Sequence, residues 1–592
     1  MAERKRFELS KCVNVSKRLY NVGLQHTQLW GRISLSLTIL SGILPSITVY
    51  LLQKIMNGIQ AKDISINALL ASFGLYAGLG FVTIVASGLQ SIVGAKMSNE
   101  LDLQLNQVVL DKIEKFELQD FEDSSVNDLI ERAKSQLSGQ AYTFYANILS
   151  GMQAIILAVS NLCVAVAMNT KYMQFGIIIL IIAIHCTLIL KVSEYQYDVL
   201  LRQTQSKRKS LYWFHLLTSD SAFKELKLFR AQEKIKNGFM NLTKQFNRQA
   251  EAIQWRYVLC DGVMSIIEQG LIAFTYLNLL VKVLIGEGLL GTTVAYINSI
   301  ENVKNGIQQL FAKGASIVEQ AYYLNFIFEL VDYKIVSTKS SEMINIKHIE
   351  SIEFAHVGFR YPQRKNEVLH DVNIMLKPGN PFIIVGANGS GKSTFLKLLG
   401  GYYLNYTGKI LVNGYDLKTI DVASYREKLS ILFQDFFRYE MTVMENVNIG
   451  QTGTKKSEKE IKILMKKYKM PDSICDNPKQ QIGYWFENGV QLSGGQWQRL
   501  AICRTMARDN EILLLDEPNA ALDAITFRML YNEINTQAKR KVCVMLLQHF
   551  VNFIGGNEEI CVFNDGRLIS RGKHDKLYDT CRIYKELYDA RQ

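Results

Sequence analysis

The chain has 592 residues, of which 48% are hydrophobic and 21% charged, with a formal net charge of +12. That length exceeds one ordinary domain, and that balance places part of the chain in a membrane. The Lys and Arg residues form no single basic stripe beside stacking aromatics, so no nucleic-acid partner is expected; an anionic inner leaflet accounts for the same charge.

The opening stretch, MAERKRFELSKCVNVSKRLY, is basic and has no apolar core before a small-residue cleavage site, so it does not read as a cleavable signal. A spanning helix needs about 20 apolar residues with few charges. Ile33–Gln53 meets that, with a kink expected at Pro45; Ile64–Ala95 and Ser135–Thr170 each contain another span. Tyr172–Leu190 is a fourth, with His185 its one ionisable side chain, and Gly262–Val281 is a fifth, interrupted by Glu268. Gly288–Ile300 is short, but Val303, Ile307, Leu310, Phe311, Gly314, Ile317 and Val318 continue it at helical spacing. A sixth helix with one apolar face, lining a watery cavity, follows.

The positive-inside rule puts the Lys- and Arg-rich start in the cytoplasm, and with it the long charged loops Lys96–Lys134 and Lys191–Asp261. Both lack Pro and are expected to be long helices projecting inwards. The nine cysteines are dispersed, without a C-x-x-C pair or metal-ligand spacing, which fits a reducing cytoplasm or a bilayer.

Beyond about Tyr333 a hydrophilic linker gives way to alternating strands and helices. Gly386-Ala-Asn388-Gly389-Ser390-Gly391-Lys392-Ser393-Thr394 fits G-x-x-x-x-G-K-[ST], between an apolar strand and a helix. The glycines let backbone N–H groups turn in around phosphates, Lys392 reaches the β- and γ-phosphates, and Ser393 holds Mg²⁺. Glu511-Ile-Leu-Leu-Leu-Asp516-Glu517-Pro518 is a buried strand ending in two acids. Asp516 suits Mg²⁺, and Glu517 is placed to orient or activate the attacking water. ATP and Mg²⁺ are the ligands these two motifs predict.

Leu492-Ser493-Gly494-Gly495-Gln496 resembles the signature of the ATP-binding cassette family. The resemblance implies further roles, in chain order. Tyr361 in FRYP is similar to the residue that stacks on adenine, and Gln434 in LFQDF to the Q-loop glutamine that contacts Mg²⁺ and water. Asp523 in AALDA is similar to the D-loop aspartate, and His549 in LLQHF to the switch histidine that contacts γ-phosphate. Asn519 departs from the Thr or Ser usual after the Glu-Pro pair. In this family Ser493, Gly494, Gly495 and Gln496 close on the ATP of a partner cassette, which implies a dimer; both catalytic acids of the one cassette, Asp516 and Glu517, are present, which favours a homodimer with two competent sites.

The resemblance to single-chain exporters covers nearly the whole sequence. Phe121-Glu-Asp-Ser-Ser-Val-Asn-Asp-Leu and Ser219-Asp-Ser-Ala-Phe223 look like the two coupling-helix regions, and Glu487 like the acid that touches them. The fold expected is an all-α six-helix transmembrane domain over 1–332, followed by an α/β P-loop ATPase domain over 333–592. The activity implied is ATP-driven export across the cytoplasmic membrane by alternating access, with ATP hydrolysis as the enzymatic step. LSGGQWQR with LFQDFFRYEMTVMENV is similar to exporters of lantibiotics and other ribosomal peptides, so a peptide cargo is favoured. A lipid or multidrug exporter, or an ATP-gated channel or sensor subunit, is the alternative. Glu268, mid-span, is either a contact for a cationic substrate or a carboxylate protonated or paired between helices.

Overall fold

The computed structural model describes residues 9–25, 27–61, 65–168, 172–335, 343–362, 364–451, 453–520, 522–547 and 558–589. They divide into two compact units, one of Met1–Lys115 with Asn127–Tyr333 and one of Phe116–Val126 with Lys334–Gln592.

Among the described residues of the first part of the chain, apolar residues at helical spacing form helices and no strand. In order come α1 (Leu9–Leu19), α2 (Gln28–Ala61), α3 (Ile66–Ile113), α4 (Leu118–Phe121), α5 (Ser124–Lys134) and α6 (Gln140–Ala167). Then follow α7 (Tyr172–Arg202), α8 (Thr204–Thr218), α9 (Asp220–Leu228), α10 (Gln232–Leu284) and α11 (Leu290–Asp332). The helix α2 continues through Pro45. Among the described residues, α2, α3, α6 and α10 are long and apolar enough to cross a membrane, and α7 carries a shorter apolar stretch, Gly176–Val192. In α11 the charges Glu301, Lys304 and Lys313 break the apolar run while its small and apolar face stays buried.

Without a hydrophobic drive between helices in lipid, close packing and polar contacts hold them together. A Cβ on Gly306 of α11 would lie 2.8 Å from the Ala154 carbonyl oxygen of α6, so only glycine permits that approach. Asn147 Nδ2 donates to Gln320 Oε1 at 2.9 Å, and Asn302 Nδ2 to Asn161 Oδ1 at 3.0 Å, pinning α6 to α11 twice more. Phe73, Phe81, Ile84 and Ile92 of α3 are exposed, an apolar face that suits lipid rather than water.

Among the described residues the second unit has ten strands. They are β1 (Ile352–Phe359), β2 (Leu369–Leu376), β3 (Phe382–Gly386), β4 (Thr407–Val412), β5 (Tyr415–Asp416), β6 (Leu429–Leu432), β7 (Ile512–Asp516), β8 (Val542–Leu547), β9 (Glu559–Asn564) and β10 (Arg567–Gly572). An antiparallel sheet has the order β2-β1-β4-β5; a mixed one runs β10-β9-β3-β8-β7-β6, in which β9, β3, β8, β7 and β6 are parallel. Continuous apolar runs such as Val542–Leu547 are buried along their whole length, as a parallel strand covered on both faces must be. The helices here are α12 (Lys392–Leu399), α13 (Val422–Glu427), α14 (Val443–Asn448), α15 (Glu458–Lys467), α16 (Asp472–Cys475), α17 (Gly494–Ala507), α18 (Ala524–Ala538), α19 (His574–Thr580) and α20 (Arg582–Asp589).

Candidate functional site

In a parallel sheet, ligands bind beyond the carboxyl ends of the strands. Three such ends carry the chemistry of the second unit. Gly386 closes β3 and opens the phosphate loop, Asp516 closes β7, and Gln434 lies just past β6. The loop is built on glycine for steric reasons. A Cβ on Gly386 would meet the Phe563 carbonyl oxygen at 2.3 Å, and Gly391 has φ +99° at the N-cap of α12. Asn388 and Gly389 form its exposed tip and Ser390 its buried shoulder.

Lys392, buried at the first turn of α12, donates to the carbonyls of Gly386 and Ala387 at 2.9 and 3.0 Å. Next to it, Ser393 hydrogen-bonds Asp516. The other Asp516 oxygen, Oδ1, is buried without a hydrogen-bond partner. An unsatisfied carboxylate oxygen beside a hydroxyl is a fitting donor set for a hard divalent cation such as Mg²⁺. Burial first, then the charge of Glu517, pushes the Asp516 carboxyl up to about 6 against the pull of Ser393 and Lys392.

The sign of that shift gives a test. A carboxyl that holds its proton more tightly when folded stabilises the fold fully below its unfolded value and loses that contribution as pH rises through about 6. In chelator-treated protein, Asp516→Asn is expected to abolish this pH dependence, which amounts to about 3 kcal/mol at most. Thermal melting of both proteins on either side of that pH checks it; parallel curves would refute the assignment.

Glu517 has φ +49°, a left-handed conformation that a side chain this size adopts only under constraint. Its N–H donates to the Leu546 carbonyl at 3.1 Å, and Gln434 Nε2 donates to its Oε2 at 2.9 Å. The backbone turn thus delivers the carboxylate to the Q-loop side chain. Tyr361, two residues past β1, shares its hydroxyl with Thr394 Oγ1 at 3.1 Å, so the aromatic ring and the phosphate helix meet.

The signature residues sit elsewhere. Ser493 caps α17: its Oγ accepts from the Gln496 N–H at 3.3 Å while Gln496 Oε1 accepts from the Ser493 N–H at 2.8 Å. Ser493 and Gly494 are exposed, Gly495 half-buried, and no hydrogen bond among the described residues joins them to the phosphate loop. The N-terminus of a 14-residue helix is therefore presented outwards, as an anion site needs. Asp523 caps α18 through the Thr526 amide and hydroxyl, which hold its carboxyl at about 2, and Arg499 of α17 pairs with it at 2.6 Å. His549 lies outside the described residues.

Residues 369–520 match the family model described as ABC transporter. Over 557 residues the chain is 29% identical to the subtilin transport ATP-binding protein SpaT of Bacillus subtilis, covering 93% of this chain and 90% of that one. It is 27% identical over 576 residues to the nisin transport ATP-binding protein NisT of Lactococcus lactis subsp. lactis, covering 95% and 94%. An ATP-dependent lipid A-core flippase of Francisella tularensis subsp. tularensis is 25% identical over 556 residues, covering 92% and 89%. A solved bacterial Atm1-family ABC exporter with ATP bound superposes with TM-score 0.79 over 95% of this chain and 98% of that one, at 21% identity, a likeness of fold.

The chain carries an ABC transporter domain within the fold of an ABC exporter.

It fuses one membrane domain to one cassette and couples ATP hydrolysis to transport. Within the exporter's membrane unit, Glu268 of α10 is 1% exposed and fully engaged. Its Oε1 lies 2.8 Å from His185 Nδ1 of α7, and its Oε2 lies 3.0 Å from Lys304 Nζ and 3.2 Å from Gln308 Nε2 of α11. On the ring's far side, His185 Nε2 stands 3.3 Å from Asp261 Oδ1. Three helices are thus tied through one carboxylate. Lys304 was not legible as its partner, because 36 residues of sequence and a helix turnaround separate them.

The exporter's first loop yields a second set of residues that the sequence did not single out. The short helix there is Leu118–Phe121, beginning before the expected Phe121, with Glu117 as its N-cap. Arg426 of α13 pairs with Glu117 at 2.7 Å, and Tyr403, 0% exposed, donates its hydroxyl to Glu122 at 2.6 Å. The Tyr403 ring meets Tyr361 edge-on at 5.4 Å. Glu487 is exposed and makes no hydrogen bond or ion pair among the described residues. The second expected region forms α9, with Phe223, Leu228 and the following Phe229 exposed.

Proposed function

We propose that two copies of this chain form a homodimer in the cytoplasmic membrane, with N-terminus and cassette inside, and export a peptide. Peptide cargo rests on the near full-length similarity to SpaT and NisT, whose names give subtilin and nisin transport. Lipid and multidrug export form the second reading, supported by the similarity to a lipid A-core flippase.

Each site takes ATP from one copy and is closed by the other. The phosphate-loop amides and Lys392 hold the β- and γ-phosphates, and Tyr361 stacks on adenine. Ser393, Gln434 and Asp516 would hold Mg²⁺, which when bound neutralises phosphate charge. Glu517 takes a proton from, or orients, the attacking water, and Gln434 keeps that carboxylate aimed. The α17 N-terminus of the partner copy, with Ser493, Gly494, Gly495 and Gln496, covers the γ-phosphate; Asp523 organises that seam, and His549 contacts the same phosphate. Closure draws the cytoplasmic helices together and opens the cavity outward; hydrolysis lets the cassettes part. A cationic cargo group meets Glu268 only when Lys304 has let go, taking the ammonium's place.

The contacts of Glu117 and Glu122 support a coupling role for Arg426 and Tyr403. Arg426→Ala with Tyr403→Phe is expected to leave basal ATPase within about twofold while cargo-stimulated ATPase falls by about tenfold, since two charge-assisted contacts are lost. Equal loss of both activities would assign these side chains to folding instead.

Uptake by inside-out vesicles tests the whole reading. A cationic leader-bearing peptide should accumulate with ATP and not in a Glu517→Gln variant. Accumulation of phospholipid or drug-like cations instead would favour the second reading, and equilibration without accumulation a gated channel.

A further inference from the structure

A cavity of about 300 Å³ lies between the α7–α8 junction and α10 in the membrane unit. Its walls come from two helix faces of matching period, Tyr195, Val199, Arg202 and Ser206 on one side and Gln245, Gln249, Ala252 and Arg256 on the other. Among the described lining residues two are cationic and none is acidic. Neither Arg202 nor Arg256 has an ion-pair partner among the described residues, although Arg256 lies over the Tyr195 ring at 4.7 Å. Guanidinium forks and amide donors around a recess form a receptor for a tetrahedral oxyanion. The space equals roughly ten water volumes, more than a bare phosphate fills.

The position of the recess tells which phosphate. The apolar stretch of α7 ends at Val192, one turn from Tyr195, and the apolar run of α10, broken only by Glu268, begins at Gly262, about 9 Å from Arg256 at 1.5 Å per residue. Trp255, Val258 and Leu259, beside Arg256, are exposed and apolar. An exposed Trp at the end of such a run marks the headgroup layer of a bilayer, and basic pockets between helices on the cytoplasmic side take lipid heads. We propose that this recess binds the phosphate of an anionic phospholipid of the inner leaflet, its glycerol on the apolar floor of Phe246 and Ile253. The assignment to the inner leaflet rests on the orientation proposed above.

The test uses the full chain in nanodiscs of phosphatidylcholine with or without phosphatidylglycerol, and reads lipid retained after transfer to detergent by native mass spectrometry. Arg202→Gln with Arg256→Gln should lower the retained phosphatidylglycerol-to-phosphatidylcholine ratio by about tenfold. Lys244→Gln with Arg248→Gln, which removes two α10 cations that do not line the cavity, should not change it. Unaltered ATPase in pure phosphatidylcholine shows that the cavity variant is folded. Equal retention by both double variants overturns the site, and displacement of the lipid by millimolar inorganic phosphate overturns the lipid source. Retention needs neither ATP nor cargo, so it stands apart from peptide export; protease access to an N-terminal tag in spheroplasts tests the orientation separately.

Discussion

Glu517→Gln is expected to bind ATP as the parent does and to turn it over about 10²- to 10⁴-fold more slowly, the range for loss of a general base. The geometry explains why so small a change should act on the chemistry alone. The amide is isosteric, the φ +49° backbone stays anchored by the Leu546 carbonyl, and the phosphate loop is untouched. Only basicity is lost: the amide oxygen can still accept from Gln434 Nε2, now as a neutral acceptor in place of the carboxylate oxygen at 2.9 Å. ATP should then persist in the closed pair of cassettes, so the variant is expected to elute or crosslink as a stable ATP-dependent dimer. Radiolabelled ATP retention alongside phosphate release checks both halves; phosphate release at the parent's rate would remove Glu517 from the role.

The next largest effect is expected at Lys304. Lys304→Met removes the ammonium 3.0 Å from Glu268 Oε2 and leaves a buried carboxylate facing His185 and Gln308. Breaking a buried pair from one side costs about 3–5 kcal/mol, whereas replacing both charges by neutral groups of similar shape is often near neutral. Lys304→Met should therefore lower the melting temperature and yield of the membrane unit sharply, and adding Glu268→Gln should restore both. Loss of cargo-stimulated ATPase in the restored double variant would mark Glu268 as a cargo contact as well; full activity would make it a tie between α7, α10 and α11 alone.

The motifs of the cassette were legible because they are contiguous. A phosphate loop must follow a strand and start a helix, so Gly386–Thr394 carries its own context, and four leucines and isoleucines before Asp516 announce a buried strand. The helical character of the first unit was legible from apolar runs, including the amphipathic continuation of α11. What the sequence withheld are contacts between residues far apart in number. Glu117 and Arg426 are separated by 309 positions, and Glu122 and Tyr403 by 281, and neither pair has any local pattern. The positive φ of Glu517 was likewise hidden, because a Glu-Pro pair after a strand permits several backbone paths and only the parallel neighbour β8 selects one.

The grouping of Phe116–Val126 with the cassette bears on how this chain is cut for biochemistry. A fragment starting near residue 334 keeps every nucleotide motif yet strips the acids from Arg426 and Tyr403, baring a guanidinium and a phenol that the intact chain keeps engaged. Such a fragment is a cassette with an open socket. Supplying a synthetic peptide that spans Glu117 to Glu122 would be the natural way to refill it.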